Sequence, residues 1–358
     1  MNRSFTLGTF AGIPVKVHWS FSLLILFVAY TAFTEGLNLQ RSLIFSAYIL
    51  VMFLCVVLHE FGHALTAAKY GVKTRDIILS PIGGIARLEK LPERPLHEFI
   101  IAIAGPAVNV VIAITLGLGL ISLTDGGILP QNADITEVPG IADFLRNIVV
   151  LNIVLFMFNL IPAFPMDGGR VLRSLLSMRL GRRRATNIAS VIGRVLAIGF
   201  IAFAIMEDQI TLALIGVFIF TSASAESKYA NTYSVLEEFI ASDIMKTDFP
   251  RLHLSDTFDK CFELFRRNIA SNFLVFDSLG YVSGTIPELF LMEAQKRNLG
   301  DHAVTSLMSS VILYAEPNAS AKTLMEMMQE KGCAIIAIGE PGNVLGVVDR
   351  ETMKNLIR

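Results

Sequence analysis

The sequence predicts a multi-span α-helical membrane domain followed by a soluble α/β domain. Apolar residues make up 53% of the 358 residues and the mean hydropathy is +0.58, but nearly all of the apolar excess lies before residue 226. Six segments in that part have the length and low charge that a helix needs to cross a bilayer. After Ser227 the composition becomes that of a soluble domain, and one pattern occurs twice with an offset of about 62 residues.

The six predicted transmembrane helices are residues 19–33, 42–68, 99–123, 144–161, 188–206 and 210–225. The first is the shortest. A cleaved signal peptide is the alternative for it, because Arg3 and Lys16 precede the apolar run. No small-x-small cleavage site follows that run, so we expect a retained span.

Basic residues in the short loops predict the orientation of the spans. The loops after spans two and four are rich in Lys and Arg: Lys69, Lys73, Arg75, Arg87, Lys90 and Arg94 in one, and Arg170, Arg173, Arg179, Arg182, Arg183 and Arg184 in the other. The loop over residues 124–142 has neither residue type. Basic loops stay cytoplasmic, so the sequence predicts a multi-pass protein of the cell membrane with both termini in the cytoplasm.

Charge and cysteine content exclude other classes of protein. The net charge of −1 gives no basic surface for nucleic acid, and we expect the basic loops to lie beside anionic lipid headgroups. Cys55, Cys261 and Cys333 are scattered and form no CxxC pair. Neither a disulfide framework nor a cysteine zinc site is therefore predicted.

A metal-binding pattern lies near the end of the second predicted span. His59, Glu60 and His63 form a His-Glu-x-x-His sequence. In a helix, residues four apart lie one turn above each other, so both imidazoles can bind one metal ion while the Glu lies beside it. Ionisable residues at membrane depth are costly and are functional candidates by default. The sequence therefore predicts one catalytic zinc ion per chain.

A catalytic zinc ion usually has three protein ligands, and Asp167 is the candidate for the third. Pro162 and Pro165 break the fourth helix just before it, and Gly168 and Gly169 let the backbone turn closely. Such a loop can direct a carboxylate sideways into a helix bundle.

Membrane depth favours Asp167 as a ligand. His59 lies about 25 Å along a helix that starts at Ser42, which places it toward the cytoplasmic side. Asp167 follows a nearly complete crossing from the other side, so the two ligand sources meet at one level. The alternative is a turn Asp that caps a helix beginning near Val171. We expect the ligand role because the depths match.

Three separated motifs occur in the order typical of one protein family. They are HEFGH over residues 59–63, GPAVN over 105–109 and NLIPAFPMDG over 159–168. Over residues 10–225 the chain resembles the site-2 proteases, which are intramembrane zinc metalloproteases. The resemblance implies that His59, His63 and Asp167 bind zinc and that the general base is Glu60. Zinc then polarises the scissile carbonyl and acidifies water, while the base moves a proton to the leaving amine.

The resemblance also assigns Asn159 and Asn109 to the neighbourhood of the site. It implies that Asn159 holds the substrate backbone or donates to the developing oxyanion. For both residues the alternative is hydrogen bonding between packed spans, and Gly105-Pro106 can be a tolerated kink. We expect Asn159 to act in catalysis and Asn109 to bond between helices.

The loop after the second span contains a predicted strand pair. Residues 76–89 carry apolar residues around Pro81, Gly83 and Gly84. A substrate helix must unwind before a peptide bond in it can be cut, and an exposed strand edge could accept the unwound segment as an added strand. The alternative is a loop that only covers the site.

The soluble part consists of two similar units. Residues 242–245 begin the first and residues 305–308 the second, and each continues into a helix, two short strands and a second helix. Gly284 in one unit aligns with Gly346 in the other. This pattern resembles a pair of cystathionine-β-synthase (CBS) domains, which together form an α/β unit.

The CBS resemblance implies that such pairs often bind adenine nucleotides, through a small hydroxyl residue and an Asp after each second strand. Pro287 and Asp349 occupy the positions of the hydroxyl residues. We therefore expect the pair to serve packing, homodimer formation or substrate docking, and nucleotide binding is the alternative.

The predicted domains are a six-span intramembrane metalloprotease domain over residues 1–226, a linker over 227–240 and tandem CBS domains over 241–358. The predicted function is hydrolysis of a peptide bond in or near a transmembrane segment of a substrate protein. The family resemblance implies a membrane-tethered regulator, such as an anti-sigma factor, as substrate. The alternatives are a metal-ion transporter or carrier that uses the same His/His/Asp site, and an inactive scaffold. Neither explains Glu60 between the two histidines.

Overall fold

The computed structural model describes residues 4–81, 83–89, 92, 94–123 and 141–357. Ile82, Lys90 and residues 124–140 of the loop that lacks Lys and Arg lie outside the described residues. The chain divides into two compact units, Met1–Lys228 and Tyr229–Arg358.

Long helices dominate the described part of the first unit. They are α1 (Phe21–Thr34), α2 (Leu39–Lys69), α3 (Pro95–Leu123), α4 (Ile141–Asn159), α5 (Asp167–Leu180), α6 (Arg182–Met206) and α7 (Ile210–Glu238). Among the residues described, α2, α3, α4, α6 and α7 are long and apolar enough to cross a membrane. A multi-span membrane domain is thereby confirmed.

Helix α1 is the short element at the position of the first predicted span. Its 14 residues rise about 21 Å, which is less than the roughly 30 Å hydrocarbon core of a bilayer. The count of six spans therefore stays a prediction.

Small residues let the helices of the first unit approach closely. A Cβ on Gly62 of α2 would lie 2.7 Å from the Ala104 carbonyl oxygen of α3, and a Cβ on Gly216 of α7 would lie 2.9 Å from the Ala197 carbonyl oxygen of α6. Large apolar side chains such as Leu50 remain exposed on the outside of the bundle. This distribution is typical of helices packed in lipid, where small residues form the interfaces.

A four-stranded sheet accompanies the helices. Its strands are β1 (Ser4–Phe10), β2 (Ile13–His18), β3 (Thr74–Ser80) and β4 (Gly83–Leu88), in the order β1-β2-β3-β4. The predicted strand pair over residues 76–89 is confirmed as β3 and β4, which are antiparallel. The hairpin β1–β2 was not predicted, and β2 pairs parallel with β3.

Asp76 ties three strands of this sheet together. Its side chain is fully buried and accepts hydrogen bonds from Lys16 Nζ at 2.7 Å and from Arg87 Nε at 2.6 Å. The hydrogen bonds from Arg87, with Lys16 beside it, lower the pKa of Asp76 to about 2. The carboxylate therefore stays charged and keeps β4 in register with β2 and β3 at neutral pH.

The second unit contains two repeats of one topology. The first repeat comprises α8 (Ala241–Ile244), β5 (Arg251–His253), α9 (Phe258–Arg266), β6 (Phe273–Phe276), β7 (Val282–Ile286) and α10 (Glu288–Lys296). The second comprises a 3-10 turn (Val304–Leu307), β8 (Tyr314–Ala315), α11 (Ala321–Lys331), β9 (Ile335–Glu340), β10 (Asn343–Asp349) and α12 (Arg350–Ile357). In both, a short strand pairs parallel with the middle strand, which pairs antiparallel with the third. The predicted internal repeat is confirmed.

The aligned glycines explain how the repeats pack on each other. A Cβ on Gly284 would lie 2.7 Å from Met308 Sδ, and a Cβ on Gly346 would lie 2.9 Å from Met245 Sδ. Each methionine at the start of one repeat therefore packs on the glycine of the other. The segment predicted as a linker, residues 227–240, is helical to Glu238.

Candidate metal centre

Three ligand atoms converge inside the helix bundle. His59 Nε2, His63 Nε2 and Asp167 Oδ2 each lie 3.1 Å from the other two. The three residues are only 6%, 4% and 7% exposed, in that order. They form the one group of at least three such side chains that the described residues bring close enough to hold a metal ion.

Helix α3 orients both imidazoles from behind. The backbone carbonyl of Ile101 lies 2.7 Å from His63 Nδ1, and Asn109 Oδ1 lies 3.3 Å from His59 Nδ1. A carbonyl oxygen only accepts, so each Nδ1 carries the proton and each Nε2 presents a lone pair. Asn109 therefore makes the interhelical bond expected for it, and that bond reaches the metal motif.

The converging lone pairs fit a zinc ion. Two unprotonated nitrogens and a carboxylate oxygen repel one another at 3.1 Å unless a cation lies between them. Zinc–nitrogen bonds of about 2.0–2.1 Å in tetrahedral geometry place ligand atoms about 3.3 Å apart. The donor set of two imidazoles and one carboxylate is also one that catalytic zinc uses.

Gly105 makes room for the imidazoles. A Cβ at this position would lie 2.2 Å from His63 Nε2 and 2.7 Å from His59 Nε2. Pro106 follows inside the continuous helix α3. The glycine is therefore required by the close approach of α3 to the site, which the sequence did not indicate.

A compact loop presents Asp167. Helix α4 ends at Asn159, α5 begins at Asp167 itself, and the N-cap residue is Met166. A Cβ on Gly168 would lie 2.3 Å from the carbonyl oxygens of Leu160 and Ile161. The loop can fold this tightly onto α5 only because that residue has no side chain.

Strand β4 lies directly on the helix that carries the motif. The backbone N–H of Ala86 donates to Glu60 Oε2 at 2.8 Å. A Cβ on Gly84 would lie 2.8 Å from Glu60 Cγ. The side chain of Glu60, which α2 carries, is therefore held against strand β4.

Two asparagines of α4 differ in their surroundings. Asn159 is half-buried, and no hydrogen bond of its side chain to another described residue is found. Asn152, which the sequence did not single out, is fully buried. Its amide donates to the Ile148 carbonyl at 2.9 Å and to Cys55 Sγ at 3.4 Å, one turn before His59. The only sequence signal for Asn152 is that a polar residue lies on an otherwise apolar helix.

Comparison with known proteins agrees with this geometry. Residues 47–200 match the profile of peptidase family M50, and residues 304–358 match that of the CBS domain. A zinc metalloprotease from Methanocaldococcus jannaschii is 38% identical over 246 residues, which cover 68% of this chain and 67% of the relative. The protein Rip3 from Mycobacterium tuberculosis is 27% identical over 379 residues, which cover 98% and 94%.

Among solved structures, a site-2 protease from Methanocaldococcus jannaschii is 36% identical with a TM-score of 0.48, and the match covers 63% of this chain and 95% of that one. The motifs, the converging ligand atoms and the relatives agree. The chain belongs to peptidase family M50, the site-2 proteases, and carries CBS domains after its membrane-spanning part.

Proposed function

We propose that this protein is a zinc endopeptidase that cuts a substrate protein in or near a transmembrane segment, with His59, His63 and Asp167 as the zinc ligands. The observation that carries the proposal is the convergence of three buried ligand atoms from α2 and α5, each 3.1 Å from the others. Zinc is the metal that we propose, because relatives are named zinc metalloproteases. A membrane-tethered regulator, such as an anti-sigma factor, is the substrate class that we propose.

Each residue around the cluster has its own role in the proposed hydrolysis. A zinc ion held by His59, His63 and Asp167 would supply a Lewis acid for the scissile carbonyl and for the attacking water. Glu60 accepts the proton of that water and passes it to the amide nitrogen that leaves. Its Oε2 accepts from the Ala86 N–H, which leaves Oε1 to take the proton. Asn159 donates its side-chain N–H to the oxygen that becomes negative, and its position at the end of α4 supports this role.

Strand β4 is the proposed docking edge for the unwound substrate. It is the last strand of its sheet, and Ile77 pairs with Ala86 across β3 and β4. Because the Ala86 N–H points to Glu60, and backbone groups alternate along a strand, the groups of Gly84 and Ala86 point away from β3. A substrate strand added at this edge would lie beside the general base.

An added charge on β4 tests this docking edge. Ile85 is 60% exposed, so Ile85→Asp leaves the core intact but places a carboxylate beside apolar substrate residues. We expect kcat/KM for a single-span substrate to fall by about tenfold or more, which is about 1.4 kcal/mol. Leu7→Asp is the matched control, because Leu7 is 66% exposed on β1 at the opposite edge of the sheet. Equal activity of the two variants would argue that β4 only covers the site.

Zinc analysis tests the proposed ligand set. Asp167→Ala removes one of three ligands, and we expect zinc content in the purified protein to fall from about one ion per chain to a small fraction of that, with loss of cleavage. Glu207→Ala, which removes an exposed carboxylate after α6, should behave as wild type. Full zinc content in Asp167→Ala would refute the assignment.

We further propose six spans, with α1 as the first and both termini cytoplasmic. Helix α1 packs on α2 through Phe21 and Phe53, whose ring centroids lie 4.8 Å apart, and a short span is accommodated by local thinning of the bilayer. The proposed domains are 1–226, a connecting segment over 227–240, and tandem CBS domains over 241–358. A cysteine at position 35 should react with an impermeant maleimide from outside the cell. Labelling from the cytoplasm would contradict this topology.

The CBS pair is proposed to act in packing, homodimer formation or substrate docking, without a nucleotide. Asp349 is buried where a hydroxyl residue would face a phosphate. Burial raises the pKa of Asp349, but hydrogen bonds from Thr352 and Lys246 outweigh it and hold that pKa below its usual range. The resulting carboxylate repels a phosphate. Binding of ATP in equilibrium dialysis would contradict this proposal.

A further inference from the structure

One buried guanidinium joins three helices of the membrane unit. Arg173 of α5 is only 3% exposed. Its Nε donates to Glu98 Oε1 at 2.8 Å and its Nη1 donates to Glu226 of α7. Its Cζ lies 5.0 Å from the ring centroid of Phe164, within the range of a cation–π contact. The sequence places this residue among the basic loop residues that set membrane topology, but the fold buries it.

The partners of Arg173 lie close in sequence to two groups of the metal centre, the carbonyl that contacts His63 and the carboxylate of Asp167. Glu98 lies one helical turn before Ile101, whose carbonyl holds His63. Phe164 lies three residues before Asp167, in the loop that presents that carboxylate. The guanidinium therefore connects the turn of α3 behind one imidazole with the loop that carries the third ligand atom.

Opposite charges meet in this cluster. Among the described residues, Arg173 faces two carboxylates, and Arg182 Nη2 lies 3.4 Å from Glu98 Oε2. Buried ion pairs cost desolvation and stabilise a fold weakly compared with apolar packing. Lys could not replace Arg here without loss of contacts. The planar guanidinium of Arg bonds to two carboxylates with its N–H groups while its flat face lies on an aromatic ring. This geometry favours a role in positioning over a role in bulk stability.

We propose that Arg173 is a positioning residue for the metal centre. By holding Phe164 and Glu98 together, it sets the distance between the Asp167 carboxylate and the imidazoles of α2. Its contacts with the described residues do not include the three ligand atoms. The proposal rests on the proposed ligand role of Asp167.

The test measures metal binding in the full-length protein apart from catalysis. Cobalt(II) replaces zinc, its absorption bands report the coordination geometry, and competition with a chelator gives the affinity. We expect Arg173→Gln to weaken metal binding by about 10- to 100-fold, as loss of outer-shell partners does, and to change the cobalt spectrum. Arg173→Lys keeps the charge but not the fork, and we expect an intermediate loss.

Two variants separate positioning from general destabilisation. Arg179→Gln removes an exposed cation from the same helix and should leave affinity and spectrum unchanged. If Arg173→Gln fails to fold, Glu226→Gln takes its place. It removes only the negative charge of the α7 partner, on a side chain that is 32% exposed, and should weaken metal binding by a smaller factor with an altered spectrum.

The outcomes distinguish this proposal from the proposed function. A folded Arg173→Gln, or Glu226→Gln in its place, with wild-type affinity and spectrum would overturn the positioning role, provided that Asp167→Ala loses the metal. Retention of metal by Asp167→Ala would instead overturn the ligand assignment on which both rest.

Discussion

Replacing Glu60 by Gln is expected to lower kcat/KM for a transmembrane substrate by about 10²- to 10⁴-fold, the range that general acid–base catalysis contributes. Glutamine has nearly the same size, and its carbonyl oxygen can still accept the hydrogen bond that Ala86 donates to the Glu60 carboxylate. Only the ability to take a proton is lost. Because Glu60 is not among the three converging ligand atoms, zinc should stay at about one ion per chain.

The same variant separates a protease from a metal carrier. A carrier needs the His/His/Asp site but has no use for a base, so metal uptake into vesicles would survive Glu60→Gln. A protease would keep zinc and lose cleavage. Zinc analysis and cleavage of a single-span substrate, measured on the same preparation, decide between the two. Unchanged cleavage by Glu60→Gln would contradict the proposed role of this residue.

Adding one methyl group at Gly105 is expected to expel the metal. The new Cβ would lie 2.2 Å from His63 Nε2 and 2.5 Å from His63 Cε1, far inside contact distance. At least one imidazole must then leave its place, and the carbonyl of Ile101 and Asn109 would no longer orient the pair. We expect Gly105→Ala to retain only a small fraction of the wild-type zinc and no measurable cleavage.

Gly119→Ala is the matched control in the same helix. Apart from the backbone of its own helix, no atom of the described residues lies within 4 Å of a Cβ placed there, and alanine favours a helix over glycine by about 1 kcal/mol. This variant should bind zinc and cleave substrate as wild type does. Gly105→Ala has the same propensity gain, so loss of metal cannot come from a weaker helix. Equimolar zinc in Gly105→Ala would show that the imidazoles can move aside.

The metal motif was the most predictable part of the site. The spacing of His59 and His63 is a local property, because any helix brings residues four apart to one face. Asp167 needed an argument from membrane depth and family resemblance, since a capping Asp suits the same sequence. In the structure Met166 is the N-cap residue and the Asp167 carboxylate lies between the imidazoles.

The sheets were predicted only in part. Strands β3 and β4 are neighbours in the chain, and their turn residues were visible. Strand β2 pairs with β3, where Val15 lies opposite Ile77, and such a distant parallel pairing leaves no local mark. In the soluble unit the repeat was clear, but β5 and β8 have only three and two residues, too few to show an alternating pattern.

Features that depend on near neighbours in the chain could be predicted: the apolar spans, the paired histidines with their glutamate, the broken helix before Asp167 and the two soluble repeats. Which polar groups meet depends instead on how distant segments pack against one another. The fold places the Ile101 carbonyl against His63 and brings Gly105 close to both imidazole rings. It also buries Arg173, which the sequence alone predicts to be a loop cation. Burial and contact depend on what packs over a side chain, and those partners come from distant segments.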